Sequence, residues 1–445
     1  MDSARVGALF FQTIEDLVGA SDLLLTMELR EALDERALVR AYERQVRARS
    51  TLRSRLRLEP VDKGHGWERL DDEQLQPLLA QQLICMTSAE PETPEVFHPI
   101  NSVLPYRVRL VEPRRLEVRI SHLLTNGQGL LFWGDDLLSW LGDAPAELAA
   151  APARPAGWRR AAQVCRETFW SLAWIRSFLK QVKRDGPTKI VDLSDGRPGL
   201  PMVRGFARMR RVLSEEQSRT LVAAAREAGR SVTSMMLSAL SAEWLGRRPA
   251  ADQVSVVMPA DLLASRPGVS RSDPGNHTGG MVARLKRADV RGGAGAASPD
   301  SASPDGASDI SGAQDLAAQA DGALRWFHRG VPAGATRLAD MPLKDEQQFR
   351  EQLRAGAGKP LVDRGPFESS SCVMSNLGAR REFARLNEAC VWASATSFGQ
   401  PPILTALAIS GRVAIELTVS LDLFERAEME SVLEGFVERL LGSSL

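Results

Sequence analysis

The stretch RISHLLTNGQGLLFWGDDLLSWL, residues 119–141, changes its period midway. Its first residues complete the run RRLEVRIS, in which side chains alternate: Leu116, Val118, Ile120 and His122 fall on one face, and Glu117, Arg119 and Ser121 on the other. From Gln128 onward the spacing becomes helical, with Leu130, Leu131, Gly134, Leu137, Leu138 and Leu141 forming one stripe. Asn126 stands where a helix N-cap belongs, and Gly127 permits a close backbone turn. The pattern therefore predicts a strand, a tight turn and a helix, with His122 at the strand end facing inward. A lone histidine so placed is more often a satisfied core residue than a catalyst, and local geometry leaves both readings open.

Working outward, each half of the chain repeats a similar order of elements. The first half runs from a strand, DLLLTMEL at 22–29, into an amphipathic helix over 33–48, where Leu33, Ala37, Leu38, Ala41 and Ala48 share a face. The strands PYRVRLVEP and RRLEVRIS then lead into the helix that begins near Gln128. The second half runs from the strand GFARMRRVL through two helices, SEEQSRTLVAAAREAG and SVTSMMLSALSAEWLG, to the strand QVSVVMPADLL. Its later strands are SSCVMSNLG, ILTALAIS and RVAIELTVSLDLF, and the helix ERAEMESVLEGFVERLL closes it. Helices mixed with antiparallel hairpins such as ILTALAIS-GR-VAIELTVS indicate an α+β architecture rather than a doubly wound parallel sheet.

The segments between these elements suggest a boundary. APAELAAAPARPAGW at 144–158 is an Ala/Pro-rich connector, and the Gly/Pro-rich DGPTKIVDLSDGRPGLPMVRG reads as a crossover, so the two lobes are expected to span 1–190 and 191–445. Residues 291–313 lack aromatic and almost all large apolar side chains, and are expected to form a disordered surface loop. Two similar lobes place a binding site in the cleft between them.

Composition limits the partners. The 445 residues hold 56 Lys plus Arg and 56 Asp plus Glu, so no net field draws the chain to nucleic acid or to an anionic membrane. Cys85, Cys165, Cys372 and Cys390 are scattered, with neither metal-ligand spacing nor the density of a secreted disulfide scaffold. The apolar patch VGALFF near the start is too short for a signal peptide, and no apolar run approaches the ~20 residues of a membrane span, so a cytoplasmic location is expected. G-x-S-x-G, Walker-type and strand-linked G-x-G-x-x-G patterns are all absent. His65, His98, His277 and His328 show no ligand spacing, so no metal is expected. The tryptophans, Trp133 and Trp140 among them, fall on helical patterns that suit packing better than ligand stacking. Arg208, Arg210 and Arg211 in RGFARMRR read as a solvated strand face before a contact for coenzyme A phosphates or an acidic carrier protein.

Ser-His-Leu-Leu-Thr-Asn-Gly at 121–127 resembles the HHxxxDG motif of the superfamily that joins condensation domains and chloramphenicol acetyltransferase, with wax ester synthases and alcohol acyltransferases among its members. His122 matches the second, catalytic histidine. STLRSRL at 50–56 is similar to the family's LRTRF-like stretch, PADLLASR at 259–266 and GNHTGG at 275–280 to its PvnlR-like strand and Gly-Asn pair, and SNLG at 375–378 to a segment of its standalone acyltransferases. These pieces occur in the family's order across nearly the whole chain. The resemblance implies two acetyltransferase-like lobes in a V-shaped pseudo-dimer, with His122 in a central tunnel that donor and acceptor enter from opposite ends. It implies acyl transfer with His122 as general base, an acyl-CoA or acyl carrier protein as co-substrate, no permanently bound cofactor, a hydroxyl or amine acceptor, and a monomer.

The chain departs from the family pattern at several positions. Ser121 replaces the supportive first histidine of the motif, and Asn126 replaces the aspartate that in the family pairs with an arginine, a partner assigned here to Arg53. Leu263 stands where the PvnlR-like strand has arginine, and TSFGQPP at 396–402 is only faintly similar to the family's DFGWG. Asn276, His277, Ser375 and Asn376 are the further residues expected to face the cleft. Ser121 and Asn126 also motivate a rival expectation, a catalytically silent relative that binds a carrier protein or a partner enzyme.

Overall fold

The computed structural model describes residues 22–57, 66–85, 106–122, 124–142, 191–195, 197, 206–261, 278–287, 316–324, 351, 371–380, 386–393 and 401–442. The loop expected at 291–313 and the connector at 144–158 lie outside them.

The first half supplies β1 (Asp22–Leu29), α1 (Glu35–Ala48), β2 (Ser54–Arg57), β3 (Gly66–Arg69), α2 (Asp72–Gln82), β4 (Leu83–Cys85), β5 (Tyr106–Glu112), β6 (Arg115–Ser121) and α3 (Gly127–Trp140). The second supplies β7 (Phe206–Val212), α4 (Glu215–Glu227), α5 (Val232–Arg247), β8 (Gln253–Asp261), β9 (Thr278–Lys286), β10 (Cys372–Arg380), β11 (Leu386–Ala393), β12 (Ile403–Ile409), β13 (Arg412–Ser420) and α6 (Arg426–Gly442). The architecture is α+β, as the pattern of elements predicts. Among the described residues, no helix is long and apolar enough to cross a membrane.

Two large sheets organise the chain. One has the order β11-β1-β6-β5-β4 and the other β7-β13-β12-β10-β8-β9, while β2 and β3 form a separate ribbon. On the first sheet the alternation seen in the sequence holds: Leu116, Val118 and Ile120 of β6 join Leu25 and Met27 of β1 in a core closed by α1 and α3. The inward stripe of α1 differs from the expected one. It comprises Leu38, Ala41, Tyr42, Gln45 and Val46, whereas Ala48 is exposed at the helix end. Tyr42 and Gln45 turn inward because their polar atoms find buried partners: Tyr42 Oη donates to the Tyr106 carbonyl and Tyr106 Oη to Gln45 Oε1.

The second sheet carries its own core, in which Ile415, Leu417 and Val419 of β13 meet Leu240 and Trp244 of α5 and Val432 and Phe436 of α6. The hairpin β12–β13 closes through Ser410 and Gly411 at φ 52° and 78°, the left-handed pair that a two-residue turn requires. Val191 and Leu193 belong to this second core.

The two halves are not separate along the chain. β11 leaves the second half to pair antiparallel with β1, from Leu23↔Ala393 to Leu29↔Leu386, and so becomes an edge of the first sheet. β12 is buried on both faces: Leu404 and Ala406 pack into the second core, Leu407 and Ile409 into the first. A continuous apolar run such as ILTALAI is what a strand covered on both sides needs.

Candidate active site

β6 ends at Ser121, and His122 occupies a turn closed by a hydrogen bond from the Leu124 amide to the Ser121 carbonyl. Strand alternation therefore stops one residue short of the histidine. His122 is nevertheless buried, at 8% exposure. Its Nδ1 lies 3.0 Å from the Thr125 carbonyl oxygen. A carbonyl can only accept, so Nδ1 carries the proton and the ring's lone pair resides on Nε2. Burial also penalises the imidazolium and lowers the pKa of the ring to about 4, more strongly than its backbone hydrogen bonds raise it. A neutral imidazole of fixed tautomer is the form a general base needs at neutral pH.

The same turn caps α3. Asn126 Oδ1 accepts from the Gly129 amide at 3.0 Å, which satisfies one of the unpaired donors of the first helical turn. Asn126 Nδ2 donates across the molecule to Asp261 Oδ1, at 3.2 Å, on the last residue of β8. Beside it Gln128 Nε2 donates to the Leu377 carbonyl at 3.2 Å. A Cβ on Gly127 would lie 3.1 Å from Leu377 Cδ2, a tight approach from the second sheet. A Cβ on Gly129 would overlap Thr125 Oγ1, next to the carbonyl that holds His122.

The SNLG segment supplies the opposing surface. β10 slips register against β12 between Asn376 and Ala379, a bulge in which Gly378 adopts φ 77°. Asn376 shapes that bulge: its Oδ1 accepts from the Gly378 amide at 2.9 Å and its Nδ2 donates to Thr233 Oγ1 at 2.8 Å. The bulge presents Leu377 to the helix start, with Ser375 half-buried two residues before it.

One expected contact is absent. Arg53 is not the partner of Asn126: its Nε donates to the Leu70 carbonyl at 2.8 Å, its Nη2 to Asp72 Oδ1 at 3.0 Å and its Nη1 to the Arg47 carbonyl at 3.4 Å. These bonds tie the end of α1 to the start of α2, and hold the buried guanidinium on backbone carbonyls and an aspartate there. The sequence reading missed Asp261, although it lies inside PADLLASR; its partner is legible only once the two sheets are brought together. Asn276 and His277 lie outside the described residues.

A buried polar group sets the helix itself. Arg49 clamps Asp136 through Nε–Oδ2 at 3.0 Å and Nη2–Oδ1 at 2.6 Å, Gln45 Nε2 adds a third bond to Oδ2, and the Arg49 guanidinium stacks over Trp140 at 5.6 Å. The sequence reading assigned α3 an apolar stripe and gave Asp136 no place in it. Trp133 is core, as its helical position suggests.

The fold so assembled is shared with condensation domains and with an O-acetyltransferase of known structure. Trichothecene 15-O-acetyltransferase TRI3 from Fusarium sporotrichioides superposes with a TM-score of 0.67 at 12% identity, over 99% of this chain and 95% of that one. The first condensation domain of the calcium-dependent antibiotic synthetase, in complex with a substrate analogue, gives 0.63 at 15%, over 100% and 95%. The starter condensation domain of rhizomide synthetase, solved with C8-CoA and Leu-SNAC, gives 0.57 at 15%, over 100% and 94%. No protein-family model and no curated protein matches the sequence.

Proposed function

We propose that the chain is an acyltransferase: it moves an acyl group from a thioester, on coenzyme A or a carrier protein, to a hydroxyl or amine, with His122 as general base. The observation that carries this reading is the Nδ1–H bond from His122 to the Thr125 carbonyl, which commits Nε2 to accepting a proton. Nε2 takes the proton of the acceptor as its oxygen or nitrogen attacks the thioester carbonyl carbon. The tetrahedral oxyanion collapses, the C–S bond breaks, and the departing sulfur recovers that proton from the imidazolium. The products are an ester or amide and a free thiol. A placed base of this kind contributes typically about 10²–10⁴-fold, and positioning of the two substrates supplies the remainder. The full-length match to an O-acetyltransferase and to a domain solved with an acyl-CoA supports both the reaction class and the donor type.

The test is turnover of a panel of acyl-CoAs and acyl carrier proteins with alcohol and amine acceptors, followed by mass spectrometry of the acylated product. Turnover by the native chain and its loss, by at least about 10²-fold, in a folded His122→Ala variant is the expected result. Full activity in that variant would overturn the role of His122, and binding of a carrier protein with no product from any pair would overturn the enzymatic reading.

A further inference from the structure

The asparagine that stands in place of the motif aspartate has a specific counterpart. Asn126 faces Asp261, and a single side chain there must do two opposed things: accept from the Gly129 amide and donate to a carboxylate. An amide does both, because its oxygen and nitrogen are fixed 120° apart on one carbon. An aspartate would still cap the helix, but its second oxygen would meet Asp261 Oδ1 at hydrogen-bond distance, and two carboxylates so close repel. Asp261 is also well placed electrostatically, since its charge lies at the positive N-terminal end of α3. With Gln128 on the Leu377 carbonyl, it fixes the helix start to two strands of the second sheet, β8 and β10.

We infer that Asp261 is a positioning residue for the transfer reaction: through Asn126 it holds the 122–126 turn, and with it the His122 ring, in register with the second sheet. On this view Ser-His-Leu-Leu-Thr-Asn-Gly is a rewired motif, in which Asn126 matches a carboxylate partner, rather than a decayed one. The chain of contacts is short. Asp261 bonds Asn126, Asn126 follows Thr125 directly, and the Thr125 carbonyl holds His122 Nδ1.

The inference rests on the proposed acyl transfer, and an exchange experiment separates the two. Asp261→Ala removes the acceptor and Asn126→Asp sets two carboxylates against each other; the double variant Asn126→Asp/Asp261→Asn restores a donor–acceptor pair with the direction of the bond reversed. In the native protein's thioester assay, each single variant is expected to lower kcat about 10–100-fold, the worth of a hydrogen bond to a charged group, with KM for the acyl donor little changed. The double variant is expected to recover most of kcat. A thermal melt of each variant shows whether it is folded at the assay temperature, and recovery by the double variant is a readout that a general loss of packing would not give. Equal kcat in all four proteins, or a double variant as impaired as the worse single one, would overturn the inference while leaving the His122→Ala result, and the acyl transfer it supports, untouched.

Discussion

His122 draws its chemistry from a place that disfavours its charge. The ring is buried, its proton sits on Nδ1 against a carbonyl, and its pKa falls to about 4. kcat/KM for the acyl donor is therefore expected to stay level from about pH 8 down to 5 and to fall only as the ring protonates near pH 4. A descending limb centred near 6.5, measured with a donor and acceptor that do not titrate there, would show a solvated imidazole instead. The same shift bears on stability, with a definite sign. The unfolded chain takes up the proton first, near 6.5, so the neutral ring's contribution is complete above that pH and is lost as pH falls toward 4, by about 3 kcal/mol in all. The alternation of RRLEVRISH reached only to Ser121, where β6 ends, so the burial of His122 belongs to the turn and not to the strand pattern. Its tautomer was not legible either, because the Thr125 carbonyl that decides it becomes a partner only when the chain turns after Ser121.

At the scale of the element, α3 is the part that carries the turn, and two kinds of residue place it. The leucines of its stripe bury against the first sheet and were readable from their period. Their contact fixes which face points inward but tolerates sliding and rotation. Asp136 removes that freedom, since its carboxylate is 2% exposed and held by Gln45 of α1 and by Arg49 at the C-cap of that helix. A period analysis passes over Asp136 because a charge on an apolar face looks like a break in the stripe, and because Arg49 lies 87 residues away. Asp136→Ala leaves the Arg49 guanidinium partly buried without its counter-charge, and is expected to cost about 3–5 kcal/mol in urea unfolding with the slope unchanged. A loss under about 1 kcal/mol would mean that leucine packing alone orients α3. The bulge in β10 is a second device of this kind. Its signal, Asn-Leu-Gly, was visible as a family segment, but the register slip that aims Leu377 at Gly127 belongs to the pairing of β10 with β12.

For the whole molecule the order of elements was legible in the sequence, but not the place of β11 at the edge of the first sheet. Nothing in LNEACVWA marks it for the first sheet, because its pairing partner β1 lies more than 350 residues earlier and local pattern carries no register. The run ILTALAI carried a fuller hint, since a strand apolar at nearly every position must be covered on both faces. Leu407 is the test of what that covering does. It projects from β12, a central strand of the second sheet, into the core of the first, at 1% exposure. Leu407→Ala removes apolar volume where the second sheet's strand closes the first core, and is expected to cost about 2–5 kcal/mol. If β11 and β12 join the two sheets into one cooperative unit, that loss appears in both. Amide hydrogen exchange should then quicken to the same extent in peptides from β1 and β6 and in peptides from β7 and β9, strands of the second sheet that do not pair with β12. Faster exchange confined to β1 and β6 would show instead that the two sheets unfold independently and that β11 and β12 serve only to align them. A site built from one turn of the first half and two strands of the second requires the former, because the bonds of Asn126 and Gln128 hold only while both sheets keep their places.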